Sequence, residues 1–550
     1  MRNTLALTLA VSLPLSAALP ALAQTAPDAG QTLRHNQQPV LQAPRASQGI
    51  NVQPPAASAT QPGGVSIQLK RLVFAGNTVF TQAQLQVVLG DALGKTFDLA
   101  GLRGLAERIS AHYRASGYPF ARAFVPAQPM ADGAMRIEIV EGQYGKVSAT
   151  GDASLVPQAQ GFLSGLKPGT VIESAALERT TLILDDLPGI TTAPLIRPGQ
   201  QPGTGDLEVN VQRSPQVTGD AGYDNYGNRY TGQNRLHAGA NINSTFLLGD
   251  QIKLTALVSE LGLWSGTADY SAPLGTSGLR GQVGYAHTYY ELGKDFANLK
   301  ASGTAKVATL GVRYPLLRSQ QANVSLSATW QGKDLNDVQG TAGTSSTKTN
   351  HSLPLALSFD LRDTLGGGGI SYGTFSYTTG DLSLDSSLRT TDATSAKSQG
   401  AFSKANLDAA RLQSVNSALS LFGRVSVQWT DKNLDSSEKF GLGGNSGVRA
   451  YPGGEGFGDQ GWLTQLELRY SAGAYAPYVF YDAGDITTNA KPWAAGTNQR
   501  TLSGGGLGLR YQRAGWSMDA AVAWRDQGGK PTSDTSATDP LVWLSLSYKF

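Results

Sequence analysis

Arg449 is the one basic residue in GLGGNSGVRAYPGGEGFGDQGW, residues 441 to 462, where nine of 22 residues are glycine. A guanidinium grips a carboxylate through a two-pronged fork. The chemistry on offer here is ionic clasping rather than bond breaking. A simple solvated loop has no need of GLGG before the arginine and PGGEGFGDQG after it. Close backbone packing in a confined space does, because glycine has no Cβ.

The other residues that could do chemistry are weaker. The five histidines, His35, His112, His237, His287 and His351, show no metal-ligand spacing. Gly94-Lys95-Thr96 resembles the end of a phosphate-binding loop, but Leu89 stands where that loop needs its first glycine. GISYG, residues 369 to 373, matches the G-x-S-x-G pattern. That pattern requires a strand-to-helix elbow, and Ser371 falls between predicted strands, so a hydrolase built on it is a minor alternative. No cofactor, metal or catalytic residue is expected, and a net charge of +3 gives no reason to expect nucleic acid.

The elements that must position Arg449 follow from the rest of the chain. Residues 1–23 read as a secretory signal: Arg2, an apolar run from Leu5 to Leu22, and Ala21-Leu22-Ala23 as the cleavage site. No later run of about 18 apolar residues predicts a spanning helix. The chain has no cysteine, which suits an oxidising compartment. Residues 24–65, rich in Gln, Pro, Ala and Ser, read as a linker with a possible short helix over Ala29 to Gln38, stopped by Pro39 and Pro44. Residues 66–142 and 143–213 read as two copies of one α+β plan: strand, two helices, two strands. In the first copy, Thr81 caps a helix through Leu89, and a second helix runs from Leu102 to Ala115.

From 214 to 550 helical periodicity gives way to alternation. QIKLTALVS, NVSLSATWQ, SVNSALSLFGRVSVQWT, SMDAAVAWRD and the terminal LVWLSLSYKF each carry an apolar and a polar face. In the last, Val542, Leu544, Leu546, Tyr548 and Phe550 share one face, and Trp543, Ser545, Ser547 and Lys549 the other. A bilayer-crossing strand needs about 9–11 residues, and backbone groups in lipid must pair internally, so such a sheet closes. At about 21 residues per strand and connection, this region predicts a transmembrane antiparallel β-barrel of about 16 strands. Trp330, Trp429 and Trp524 are read as girdle residues at strand ends.

Four motifs then carry a resemblance. VFAGNTVF (73–80), YRASGY (113–118) and IEIVEG (137–142) are similar to a first POTRA domain, and LERTTLILDDLPGI (177–190) to a second. Val448-Arg449-Ala450-Tyr451 resembles the loop motif usually written VRGY, and FYDAGD (480–485) a late-strand motif with an aspartate. In this order they resemble the TpsB-type outer-membrane transporters of two-partner secretion, the haemolysin and filamentous haemagglutinin secretion family of the POTRA-barrel superfamily.

That resemblance implies a plug helix, two periplasmic POTRA domains and a barrel in the outer membrane of a Gram-negative bacterium. It implies a loop folded back into the lumen, where Arg449 meets an acidic inner-wall residue. In VFYDAGD, Phe480, Asp482 and Gly484 alternate against Val479, Tyr481 and Ala483, so Asp482 is the first choice. Glu467, between Leu466 and Leu468, could share the role. Ala450 stands where the family has glycine; were positive φ needed there, alanine would cost about 1–2 kcal/mol. The implied function is export of an unfolded partner exoprotein, an adhesin or cytolysin, without nucleotide hydrolysis. Lipid, periplasmic chaperones and the barrel-assembly machinery are the other partners, with terminal Phe550 as the assembly signal. A protein insertase of the same superfamily is the main alternative, and a passive porin or receptor a lesser one.

Overall fold

A computed structural model describes residues 26–36, 41, 43–44, 63, 66–130, 132–534 and 536–550. The expected signal segment lies outside these residues. Helix α1 (Ala29–Asn36) comes first. The first α+β unit holds β1 (Arg71–Ala75), α2 (Gln82–Val88), α3 (Leu99–Ala115), β2 (Arg122–Phe124) and β3 (Ala134–Val140). Thr81 starts α2 with a reciprocal capping box through Gln84, and the Asp98 carboxylate caps α3. The second unit holds β4 (Gln143–Gly151), α4 (Val156–Leu163), α5 (Ser174–Asp185), β5 (Ile190–Pro198) and β6 (Thr204–Arg213).

Both units place their last strand in the middle of the sheet, parallel to the first and antiparallel to the one before it. Each has its own apolar core, including Leu85, Ile109 and Ile137 in one and Leu163, Leu184 and Val209 in the other. In the first core, Glu141 is 4% exposed. It accepts from the Thr78 and Val79 amides at 2.7 and 2.8 Å, from the Tyr113 hydroxyl at 2.8 Å and from the Thr78 hydroxyl. Burial pushes its carboxyl up, the donors pull it down, and the donors win, holding it below the usual range.

The barrel strands are β7 (Val217–Asp224), β8 (Arg235–Asn243), β9 (Gln251–Ser259), β10 (Trp264–Pro273), β11 (Arg280–Glu291), β12 (Ala301–Arg318), β13 (Ala322–Gln339) and β14 (Thr344–Asp363). They continue as β15 (Gly369–Leu384), β16 (Gly400–Ser414), β17 (Leu419–Trp429), β18 (Gln460–Tyr470), β19 (Tyr475–Thr487), β20 (Gln499–Arg513), β21 (Trp516–Arg525) and β22 (Leu541–Lys549). Each pairs antiparallel with its neighbour, and β22 closes on β7. Connections at the rim beside the α+β units are short, such as 471–474 and 514–515; those at the far rim are longer, such as 385–399 and 430–459. Leu254, Val283, Leu310, Phe375, Val425 and Leu507 stand exposed on the outer face. Such a continuous apolar surface on a closed sheet is a lipid-facing one.

Two sequence expectations need correction. SVNSALSLFGRVSVQWT is not one segment: β16 ends at Ser414, and the Asn416 side chain accepts from the amides of Ala418 and Leu419 at 2.9 and 2.8 Å to make a turn. Alternation had run on across that turn. Trp330 lies inside β13 rather than at its end, because β12, β13 and β14 have 18, 18 and 20 residues. That is about twice a bilayer crossing, so their outer halves run beyond the lipid band.

The second unit is docked on the near rim. Arg318 forks Asp186 at 2.7 and 2.7 Å, Gln320 reaches Glu178 at 3.2 Å, and the Gln158 side chain accepts from the Leu248 amide at 2.8 Å.

Candidate functional site: a loop clasped inside the barrel

The 430–459 connection turns back into the lumen. Its neck is a short ladder of Phe440 and Gly441 against Phe457 and Gly458. Beyond the neck, Leu442, Val448, Ala450 and Tyr451 are buried against inner-wall residues that include Leu463, Leu502, Ala523 and Trp543. The turn is tight enough to need glycine: a Cβ at Gly447 would stand 2.1 Å from the Leu442 carbonyl oxygen. Gly484, on the wall, faces Leu442. The Tyr451 hydroxyl lies 2.7 and 3.0 Å from the carbonyls of Gln527 and Gly529, which ties the tip to the far-rim loop after β21.

Arg449 is 4% exposed and spends every edge of its guanidinium. Nε and Nη2 donate to the two oxygens of Asp482 at 2.8 and 2.7 Å, and the Arg449 amide adds a third bond to Asp482 at 3.1 Å. Nη1 donates to Glu467 at 2.6 Å. The Phe480 ring lies under the guanidinium, 3.7 Å from its centre, a cation–π contact on the buried side. The alternation of β19 thus presents Phe480, Asp482 and Gly484 to the lumen, while Tyr481 is exposed on the outer face.

The network extends past the residues singled out from sequence. Glu467 also accepts from Arg469 at 2.7 Å and Arg510 at 3.0 Å. Arg510 reaches Asp519 at 2.9 Å, and the Tyr478 hydroxyl donates to the same carboxylate at 2.7 Å. Three arginines (449, 469, 510) thus face three carboxylates (467, 482, 519), and the cluster is balanced. Trp543 donates its indole N–H to the Arg449 carbonyl at 2.7 Å. Its signal was in the sequence: a tryptophan on the polar face of an otherwise Ser/Lys alternation.

Ala450 does not adopt positive φ, so the expected strain is absent. Its methyl group uses space left by a wall glycine: a Cβ at Gly504 would stand 2.3 Å from that of Ala450.

Helix α1 lies in the lumen beside this loop. Ala29 and Leu33 are buried among Tyr290, Ala305 and Leu335 of the wall. Asp28 accepts from the Gln31 amide at 2.8 Å, capping the helix. Lys348 bridges Asp28 and Asp435 at 2.8 and 3.0 Å, and Ser436 donates to Asp28 at 2.7 Å. Arg34 donates to the Lys439 carbonyl at 3.1 Å, and His35 contacts the Tyr226 carbonyl at 2.9 Å. Glu438, next along the loop, is buried between Lys333 and Lys404.

Phe550 pairs with Gly219 through both backbone bonds, at 2.9 and 3.0 Å, and its ring points outward, 67% exposed. Ser371 lies within β15, not between strands. It accepts from Arg411 at 2.8 Å, and Arg411 is forked to Asp363. A serine on a strand beside an arginine has neither the elbow nor the base a nucleophile needs.

Residues 203–511 match the family model for haemolysin secretion/activation protein ShlB/FhaC/HecB, and residues 67–142 match the POTRA domain, ShlB-type. The chain is 26% identical over 564 residues to the heme/hemopexin transporter protein HuxB of Haemophilus influenzae, covering 98% of each. It is 22% identical over 488 residues to the outer membrane transporter CdiB of Dickeya dadantii, covering 86% of this chain and 85% of that one. Among solved structures it is similar to CdiB from Escherichia coli, with a TM-score of 0.74, 19% identity, and coverage of 95% and 96% of the two chains. With its closed 16-strand barrel and inward-clasped loop, this chain belongs to the haemolysin secretion/activation protein family, ShlB/FhaC/HecB.

Proposed function

We propose that this chain is the outer-membrane pore of a two-partner secretion pair. An unfolded partner exoprotein meets the two α+β units in the periplasm, crosses the lumen and folds outside. The observation that carries this reading is what fills the barrel. Among the described residues, α1 and the 430–459 loop stand inside the lumen, held to its wall through polar bridges and side-chain packing. Segments held that way can leave without unfolding the wall. The units offer sheet edges at β2 and β5, where backbone hydrogen bonds can add a strand with little regard to sequence. Folding beyond the membrane supplies direction, with no nucleotide consumed. Val448, Arg449, Ala450 and Tyr451 hold the resting loop, Asp482 and Glu467 are its acidic partners, and Phe480 and Gly484 shape its seat.

The partner is a large adhesin or cytolysin. Phe550 serves as the assembly signal read by the barrel-assembly machinery after delivery by periplasmic chaperones, and lipid surrounds the finished barrel. The test compares the medium, periplasm and outer membrane of cells with and without this chain by mass spectrometry. Loss of one large protein from the medium, with its fragments in the periplasm, supports the reading. An unchanged medium with many barrels missing from the outer membrane makes it an insertase instead.

A further inference from the structure

Three apolar patches interrupt the inner wall among the described residues, and each is covered from inside the lumen. The loop covers one through Leu442 and Val448, and α1 covers another through Ala29 and Leu33. The third consists of Ile370 and Tyr372 of β15, Ala410 of β16 and Phe422 of β17; Leu41 of the linker packs on it beside the wall residue Leu412, and the Arg469 guanidinium lies 4.1 Å from the centre of the Phe422 ring. These strands carry the patch near the rim that receives the α+β units, since β15 begins at Gly369 and β16 ends at Ser414. At that rim the Pro44 carbonyl accepts from Arg362 at 2.8 Å. Beside it opens a recess of about 820 Å³, lined by Leu41, Pro44 and Tyr372 together with Phe162, Ile183 and Leu187 of the second unit. The patch and the recess share Leu41 and Tyr372, so the apolar surface is continuous with the recess at that rim.

We propose that this patch is a binding site for extended polypeptide: the linker occupies it at rest through Leu41, and apolar side chains of the exported chain take the same seat in transit. The inference rests on the secretion reading for its second half only. The linker is the argument for the kind of occupant. Leu41 belongs to no helix or strand, and its half-buried side chain is the part of the linker that packs on the patch. An unfolded chain in a polar tube can satisfy its backbone with water, so its apolar side chains are what such a wall can hold. A single seat of this kind binds weakly enough to release a moving chain.

The test places the photo-cross-linker p-benzoylphenylalanine at Tyr372 of the full-length protein, with Phe422 as a second position and outward-facing Tyr377 as the control. In the unaltered linker background, irradiation should join the wall to the linker segment around Leu41. In a Leu41→Asp background, an added peptide PVLQAPR (residues 39–45) should take its place. The peptide with aspartate for leucine should label about tenfold less, the loss expected from one half-buried leucine. In secreting cells the exported chain should be captured from the same positions as capture of the linker falls. Equal labelling by the two peptides, or equal labelling at Tyr377, overturns the seat. Capture of the linker alone during full export overturns its use in transit. The peptide result does not depend on export, so failure of the seat and failure of the secretion reading are told apart.

Discussion

The amide of Arg449 and its guanidinium both bind Asp482, at 3.1, 2.8 and 2.7 Å. The contact therefore fixes the loop's backbone as well as its charge. A guanidinium alone could swing with its long side chain; an amide cannot. With Trp543 holding the carbonyl of the same residue, the peptide units on both sides of Arg449 are pinned to the wall.

This geometry sets the outcome of a charge swap. Arg449→Ala leaves the buried Asp482 without its partner, a loss of about 3–5 kcal/mol; Asp482→Ala costs less, because Arg449 keeps Glu467 at 2.6 Å, but it frees the loop's amide and two guanidinium donors. Export should fall by about tenfold or more, while the barrel still assembles as judged by its heat-shifted mobility on gels. The swap Arg449→Asp with Asp482→Arg should not rescue it. The new loop carboxylate would face Glu467, and the new wall guanidinium, a donor only, could not accept the loop's amide. Export unchanged in either single variant would show that the clasp has no part in transport.

The pair Ala450 and Gly504 predicts a compensation. Ala450→Gly should cost about 1 kcal/mol, because it removes a methyl from a packed contact and relieves no strain. Gly504→Ala should cost about 1–3 kcal/mol, because its Cβ would stand 2.3 Å from that of Ala450. The double variant relieves the clash with Ala450 but leaves the new Cβ 2.5 Å from the Trp524 carbonyl oxygen, so it should recover only part of the loss in thermal unfolding of the barrel. Additive losses would mean that the two positions are not coupled.

Much of this was legible in the sequence, and the limits have physical causes. Period-two alternation marks a strand regardless of its partners, so the barrel could be read from β9, β13 and β22. The face of Asp482 followed from the same alternation. The remaining members of the network could not be read so. Arg469, Arg510 and Asp519 are ordinary polar-face residues until barrel curvature brings three strands round one loop tip. The two-helix plan of the second unit required a helix before Ser174 without giving its bounds; α4 holds Pro157 in its first turn, where the missing N–H has no partner to lose. The role of Leu41 was invisible, since a lone leucine in a Pro/Gln-rich linker has no periodicity to place it.

Lys348 joins the helix to the loop by bridging Asp28 and Asp435 at 2.8 and 3.0 Å. Lys348→Met removes the cation and leaves two carboxylates facing one another. The seated helix should then lose about 3 kcal/mol, which shifts the ratio of seated to released by about a hundredfold. Single-channel recordings in planar bilayers should show open events in the variant where the parent is mostly closed. An equally silent variant would mean that α1 is held by its apolar face alone.

Glu141 predicts how the first unit responds to acid. Its carboxyl is held below the ordinary value of 4.5: burial opposes the charge, and the hydroxyl and amide donors around it outweigh burial. A group whose folded pKa is depressed adds stability that is present above its unfolded pKa and lost as pH falls through the folded one. The first unit should therefore keep its full stability down to about pH 4.5 and lose the Glu141 contribution below it. Hydrogen exchange of the β1 and β3 amides in the full-length protein, followed from pH 6 to pH 3, reads this directly. Glu141→Gln should lower protection at pH 6, where the parent carboxylate is charged and accepts every donor. It should also flatten the acid dependence, because the amide does not titrate. If parent and variant lose protection in parallel as pH falls, the acid response of this unit belongs to another group.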